Sequence, residues 1–227
     1  MPVPAWRRMR RPGRAKEKIG DMKQMWTDRT YEYADNLYVN MTNQCPNQCV
    51  FCLRENSRGS IYGENLWYQG PEPSREELFN SLCGRDLFSY QEIVFCGYGE
   101  PTCRWDDVLW LCDRLLEMGS FSLRLNTNGL GDLINHREIG GELHRRFNTV
   151  SVSLNASTPE RYQQLCRSRY GRDALPAVIR FTARAVMEVP FVRMTVVGDM
   201  PKWEMEACRR ICDRIGADFY VRDRIEV

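Results

Sequence analysis

The sequence predicts an α/β fold whose core is a parallel sheet of six strands joined by helices. Strand-like and helix-like segments alternate from residue 37 onward, the order that threads parallel strands through helical crossovers. No internal repeat or low-complexity tract interrupts that order. Six β/α units also suit 227 residues, where a closed eightfold barrel typically needs ~250.

The first unit centres on the stretch NLYVNMTNQCPNQCVFCLR, residues 36–54. Residues 37–41 suit a pleated, half-buried surface and read as a strand. A polar loop follows, Thr42-Asn43-Gln44, and it leads to Cys45, Cys49 and Cys52. Residues 55–73 are a connection rich in Gly, Asn and Pro, with Ile61, Tyr62, Leu66, Trp67 and Tyr68 as its apolar content. Ser74 and Glu77 then form a capping-box pattern, so a helix runs to about residue 83. The second strand, residues 92–96, ends in Gly97-Tyr98-Gly99-Glu100-Pro101. Val108, Leu111, Cys112 and Leu115 give the helix over 105–118 an apolar stripe.

The third strand, 121–126, runs into Thr127-Asn128-Gly129 and a poorer helical stretch that ends near residue 146. The fourth, 149–154, leads to Asn155-Ala156. Helices over 158–166 and 173–188 precede the fifth strand, 191–197. A helix over 203–215 and a last strand over 218–221 close the series. In parallel β/α barrels chemistry gathers at the carboxyl ends of the strands, so the loops at those ends belong together.

Three thiols within eight residues, spaced C-x3-C-x2-C, need a reason in a reducing cell. Structural zinc normally takes four protein ligands, usually as two separated pairs. No second pair follows here, and the histidines are His136 and His144. An iron–sulfur cubane fits better, because thiolates ligate such clusters and three of them leave one iron open. The other seven cysteines, Cys83, Cys96, Cys103, Cys112, Cys166, Cys208 and Cys212, read mainly as small hydrophobes of the core.

This spacing, with Phe51 before the third Cys, resembles the signature of the radical S-adenosylmethionine (SAM) enzymes. The wider context YADNLYVNMTNQCPNQCVFCLR resembles one subgroup, the TatD-associated radical SAM proteins, named for a neighbouring TatD-like nuclease. The resemblance implies that Cys45, Cys49 and Cys52 hold a 4Fe–4S cluster whose fourth iron is chelated by SAM. Reductive cleavage of SAM then yields a 5′-deoxyadenosyl radical that abstracts hydrogen. It also implies a six-unit partial TIM barrel, (β/α)6, over most of the chain.

The resemblance extends to the later loops. GYGEP is similar to the family's GGEP motif, with Tyr98 in place of the second Gly; Gly97, Tyr98, Gly99, Glu100 and Pro101 would meet the SAM amine. LNTNG could direct Asn126 and Asn128 at the cofactor. SVSLNA is similar to the ribose-binding motif, and two-residue periodicity would put Ser153 and Asn155 on one strand face. Arg167 could pair with the SAM carboxylate through its planar fork, with Arg169 and Arg172 as competitors. No catalytic residue can be named.

Composition is that of an ordinary globular domain, 43% hydrophobic and 27% charged. No run reaches the ~20 apolar residues of a membrane span, and the N-terminus lacks a signal-peptide core. A cytoplasmic, reduced protein is expected. Residues 1–30 form a basic N-terminal arm, with seven Arg or Lys against Glu17 in the first eighteen positions; such an arm can bind nucleic acid electrostatically. Residues 31–227 form the partial-barrel domain. The expected activity is reductive SAM cleavage and hydrogen abstraction from a small or nucleotide-like substrate, with a flavodoxin- or ferredoxin-type electron donor. A glycyl-radical activase acting on a protein, and a non-catalytic Fe–S electron carrier, are the alternatives.

Overall fold

The computed structural model describes residues 29–56, 60–61 and 64–223. The basic arm up to residue 28 lies outside the described residues. β1 (Thr30–Tyr33) and β2 (Asn36–Asn40) form an antiparallel hairpin, and β2 opens the parallel series. α1 (Leu53–Asn56) and the two-residue strands β3 (Ser60–Ile61) and β4 (Glu64–Asn65) follow the cysteines. Then come α2 (Arg75–Cys83), β5 (Ile93–Cys96), α3 (Trp105–Met118), β6 (Leu123–Thr127), α4 (Gly131–Asn135) and β7 (Thr149–Ser153). α5 (Pro159–Cys166), α6 (Ala174–Glu188), β8 (Phe191–Val197), α7 (Lys202–Ile215) and β9 (Asp218–Arg222) complete the order.

The main sheet has seven strands, ordered β1-β2-β5-β6-β7-β8-β9, and every pairing from β2 to β9 is parallel. All six expected parallel strands are present. Sequential order combined with right-handed crossovers puts the helices on one face of the sheet. Leu37, Val39, Phe95, Leu125, Val150 and Met194 point to that face and are fully buried in the main core. The amphipathic stripe of α3 meets them with Val108, Leu111, Cys112 and Leu115. Cys208 and Cys212 of α7 are buried in the same core, as expected of small hydrophobes.

Side-chain caps start two of the helices, the first as the sequence predicts. Ser74 and Glu77 form the reciprocal capping box of α2, and the Thr158 hydroxyl accepts from the Arg161 N–H at the start of α5. Each such cap stabilises by about 1 kcal/mol.

The departures are local. The hairpin strand β1 is not expected, because its turn is Ala34-Asp35, and both residues adopt left-handed backbone (φ 47° and 61°) without the usual Asn-Gly signal. Thr30, assigned by the sequence to the basic arm, lies in β1 and pairs with Val39. The connection 55–73 carries part of α1 and the β3–β4 ladder. The helical stretch after β6 is only α4 plus a 3-10 turn, Gly140–Leu143, with left-handed His136 ending α4.

The opposite, inner face has different side chains. Strand register aligns Tyr38, Val94, Arg124 and Thr149 in one row across it. The next row holds Asn126, Ser151, Arg193 and Asp218, and Ser153, Thr195 and Tyr220 stand above it. Barrel interiors are usually filled by branched apolar residues. This one is mostly polar.

Candidate active site

The cysteine loop leaves the carboxyl end of β2 and is tied down along its length. Glu72 accepts from the Thr42 hydroxyl and the Asn43 N–H. Arg104 donates to the carbonyls of Met41 and Pro73. Arg54, two residues past Cys52, donates to the carbonyls of Asn43 and Asn47. On the other side Gln48 N–H meets the Cys166 carbonyl, Val50 N–H that of Leu165, and Arg169 N–H that of Pro46, so the end of α5 supports the loop. Cys45, Cys49 and Cys52 are all half-buried free thiols.

The GYGEP loop dovetails with it. Gly99 N–H donates to the Thr42 carbonyl at 2.8 Å and Glu100 N–H to the Gln44 carbonyl at 2.7 Å. A Cβ on Gly99 would stand 2.3 Å from the Gln44 carbonyl oxygen, closer than any side chain permits. Gly97 has φ +133°, a conformation L side chains rarely adopt. Pro101 is buried at the start of a 3-10 turn, Pro101–Arg104.

Two members of the motif do not face the loop mouth. The Tyr98 ring is buried with Tyr31 and Leu66 in a separate small cluster. The Glu100 side chain turns inward and is 3% exposed. Its Oε1 accepts from the Thr102 N–H and hydroxyl and from the Thr127 hydroxyl, and its Oε2 from the Asn128 N–H. Burial outweighs these four donors and holds the carboxyl above the ordinary range. Glu100 thus pins the β5 loop to the β6 loop.

That pin brings the third loop in. Asn128 Nδ2 lies 3.8 Å from Cys45 Sγ, and Asn126 Nδ2 3.8 Å from Cys96 Sγ. At the fourth loop Ser153 ends β7, half-buried on the inner face. Asn155 does not share its face, contrary to the periodicity argument. Leu154 and Asn155 N–H groups both reach the Thr195 carbonyl, so strand alternation is lost there. Asn155 is left-handed (φ 59°) and buried. Its Nδ2 approaches Cys166 Sγ at 3.8 Å, and its Oδ1 has no partner among the described residues. Arg167 is the exposed, left-handed C-cap of α5. Its side chain makes no hydrogen bond or ion pair among the described residues.

Several residues at the site carry no signal in the motifs. Glu72, Arg54 and Arg104 hold the cysteine loop, and buried Glu204 accepts from the Ser157 N–H to hold the β7 loop. Arg222, the last residue of β9, places its guanidinium 5.8 Å from the centre of the half-buried Phe51 ring. Strand alternation over DFYVR was the one available signal for it.

The electrostatics favour protonated Cys45 and Cys49 thiols in the free protein. Burial, then the Glu100 charge, pushes Cys45 up to about 12. Cys49 is raised first by its hydrogen bond with Cys166 and then by burial. Burial also lifts Cys103 to about 12, with Glu100 and Cys45 as its charged neighbours. Thiolate ligation therefore releases protons as a metal group loads. No three His, Cys, Asp or Glu side chains among the described residues converge as a single-ion site. A cubane offers each thiolate a separate iron, and three unbridged thiols on one loop fit that donor set.

A parallel, helix-backed sheet with a three-thiol loop at the carboxyl end of its first parallel strand has the framework of a cluster-dependent enzyme. The chain belongs to the radical SAM superfamily, whose pattern matches residues 39–211. The family uses a 4Fe–4S cluster and SAM. A GTP 3′,8-cyclase of Rhodococcus opacus is 29% identical over 161 residues, which cover 70% of this chain and 42% of that protein. A probable GTP 3′,8-cyclase of Thermococcus kodakarensis is 28% identical over 187 residues, 80% of this chain and 55% of that protein. The chain spans about half the length of the curated relatives it matches.

Solved structures share the fold. A radical SAM methyltransferase from Sphaerobacter thermophilus superposes with a TM-score of 0.58 at 20% identity, over 86% of this chain and 57% of that one. Streptococcus suis SuiB bound to S-adenosylmethionine gives 0.56 at 16% identity, over 84% of this chain and 38% of that one. No described helix is long and apolar enough to cross a membrane.

Proposed function

We propose that Cys45, Cys49 and Cys52 hold the 4Fe–4S cluster and that the substrate is a small, nucleotide-like molecule. Together, cluster and SAM supply hydrogen-atom abstraction when bound. The observation that carries this reading is the joining of three strand-end loops. Gly99 and Glu100 hydrogen-bond the cysteine loop, Glu100 binds Thr127 and Asn128, and Asn128 returns to Cys45.

In this reading the backbone of residues 97–101 lines the SAM amine site, while Glu100 positions that backbone from behind. Asn126, Asn128 and Ser153 present polar groups toward the cofactor. The unpartnered Oδ1 of Asn155 and the exposed Arg167 offer an acceptor and a cation for the ribose and carboxylate of SAM. Phe51 packs against the core beside the loop and limits solvent at the thiols. A flavodoxin- or ferredoxin-type protein would supply the electron, in the cytoplasm.

The nucleotide-like substrate draws support from relatives named as GTP 3′,8-cyclases. The finer likeness to TatD-associated members, and a TatD-like nuclease as neighbour, rest on residues 33–54 alone, and the curated relatives do not include that group.

The test uses anaerobically reconstituted protein with SAM and dithionite, following 5′-deoxyadenosine by chromatography. The product should form with wild type and vanish when all three cysteines become alanine. Its absence from a protein with full iron and sulfide content would defeat the reading.

A further inference from the structure

The inner face carries two arginines that the cofactor chemistry does not use. Arg124 is already paired, with Glu92 at 2.6 Å and the Tyr38 hydroxyl at 3.0 Å. Arg193 and Arg222 make no ion pair among the described residues. Both are half-buried, and both project from the sheet face that bears no described helix. Arg193 lies 5.8 Å from the Tyr220 ring centre and Arg222 5.8 Å from that of Phe51. Asp218, Tyr220 and Arg222 alternate along β9, with Asp218 in register with Arg193. Asp218 itself is exposed and stays beyond ion-pair distance of Arg193.

A half-buried guanidinium held over an aromatic ring, with no described carboxylate to neutralise it, is a ready partner for an oxyanion. Its planar fork gives two parallel donors to phosphate or carboxylate. Position makes the two arginines one site. Arg222 lies at the carboxyl end of β9, against Phe51 of the cysteine loop. Arg193 lies four residues lower by register, about 13 Å along the strand. A cavity of about 280 Å³ opens beside it at the amino end of β8 and β9, lined by Thr149, Phe191, Asp218 and Tyr220 and also by Val192 and Phe219 of the opposite face. A molecule spanning the inner face from the cysteine loop to that end would meet both cations.

We propose that the substrate is anionic and is held by Arg222 beside the cysteine loop and by Arg193 deeper on the inner face. The shared chemistry is an oxyanion, phosphate or carboxylate. This deepens the proposed function, since it assumes a substrate on the inner face, but its test reads binding and not turnover.

Anaerobically reconstituted protein would be titrated calorimetrically with inorganic triphosphate and, separately, with citrate, in wild type, Arg222→Gln, Arg193→Gln and the outer-face control Arg184→Gln. At least one anion should bind wild type, weaken 10-fold or more in each inner-face variant, and keep its affinity in the control. Arg222→Lys should recover part of the loss, which a mere packing defect would not allow, and circular dichroism checks that every variant folds. Which anion binds separates a phosphate from a carboxylate source. Failure of both to bind wild type, or unchanged affinity in both inner-face variants, overturns the proposal. So does an Arg222→Gln variant that loses SAM affinity while keeping anion affinity. A wild type that binds anion through these arginines but makes no 5′-deoxyadenosine keeps this site and sinks the enzymatic assignment of the cysteines.

Discussion

The two faces of the main sheet are built from the same strands, one residue apart, and they do opposite work. Toward the helices, Leu37, Phe95, Leu125 and Val150 are fully buried. Toward the inner face, Arg124, Asn126, Ser151 and Arg193 stay half-exposed, although they alternate with equally central neighbours. Apolar burial on the first face stabilises the fold, by about 1.5–3 kcal/mol for each large side chain. The second face keeps its polar groups partly solvated, where the proposed substrate would replace the water. Stability and recognition are thus divided by the pleat.

Substitutions can break this division. Phe95→Ala removes a fully buried ring from the helix-bearing face. It should cost about 3–5 kcal/mol, read as a lowered urea midpoint. Gly99→Ala acts at the rim where the loops meet. The new Cβ must push the Gln44 carbonyl away, at a cost of about 3 kcal/mol, the upper part of the range for overpacking. It should also lower iron content per chain, measured after reconstitution, because the displaced backbone leads directly to Cys45.

Glu100→Gln replaces a buried acceptor of four donors with an amide that accepts at one atom only. A cost of about 1–2 kcal/mol follows from the unmet buried donor. Its pH dependence is specific. Because folding raises the Glu100 carboxyl above its ordinary 4.5, its contribution is full below 4.5 and is lost as pH rises through the folded-state value. The deficit of the variant should therefore narrow as pH rises above 4.5, in denaturation curves taken across that window. A deficit that widened instead would contradict the raised value.

Ser151→Ala sharpens the same contrast from the other side. On the inner face it removes only a half-exposed hydroxyl and should shift stability by no more than about 0.5 kcal/mol. A loss as large as that of Phe95→Ala would mean that the inner face is also packed core.

Much of this was legible in the chain. Alternation places Phe95 and Leu125 outward because side chains along a strand change face at every residue. Caps at Ser74 and Thr158 mark helix starts because the backbone donors there need acceptors. The motif order identifies the loops that belong together. What escaped were groups whose roles depend on a partner far along the chain. Glu72 reads as an acid between prolines, yet it holds Thr42 and Asn43. Tyr98 reads as a cofactor neighbour, yet it packs with Tyr31 and Leu66.

By itself the sequence determined the order of β and α elements, the apolar face of each and the cluster of three thiols on one loop. These are local properties, set by side-chain period and by spacing within a few residues. The tertiary structure alone decided that Gly99 lies against the Thr42 and Gln44 carbonyls, that Glu100 faces inward to Thr127 and Asn128, and that Arg222 of the inner face lies over Phe51 of the cysteine loop. Those relations join residues tens to nearly two hundred positions apart. They follow from strand register and crossover handedness, which no local pattern encodes.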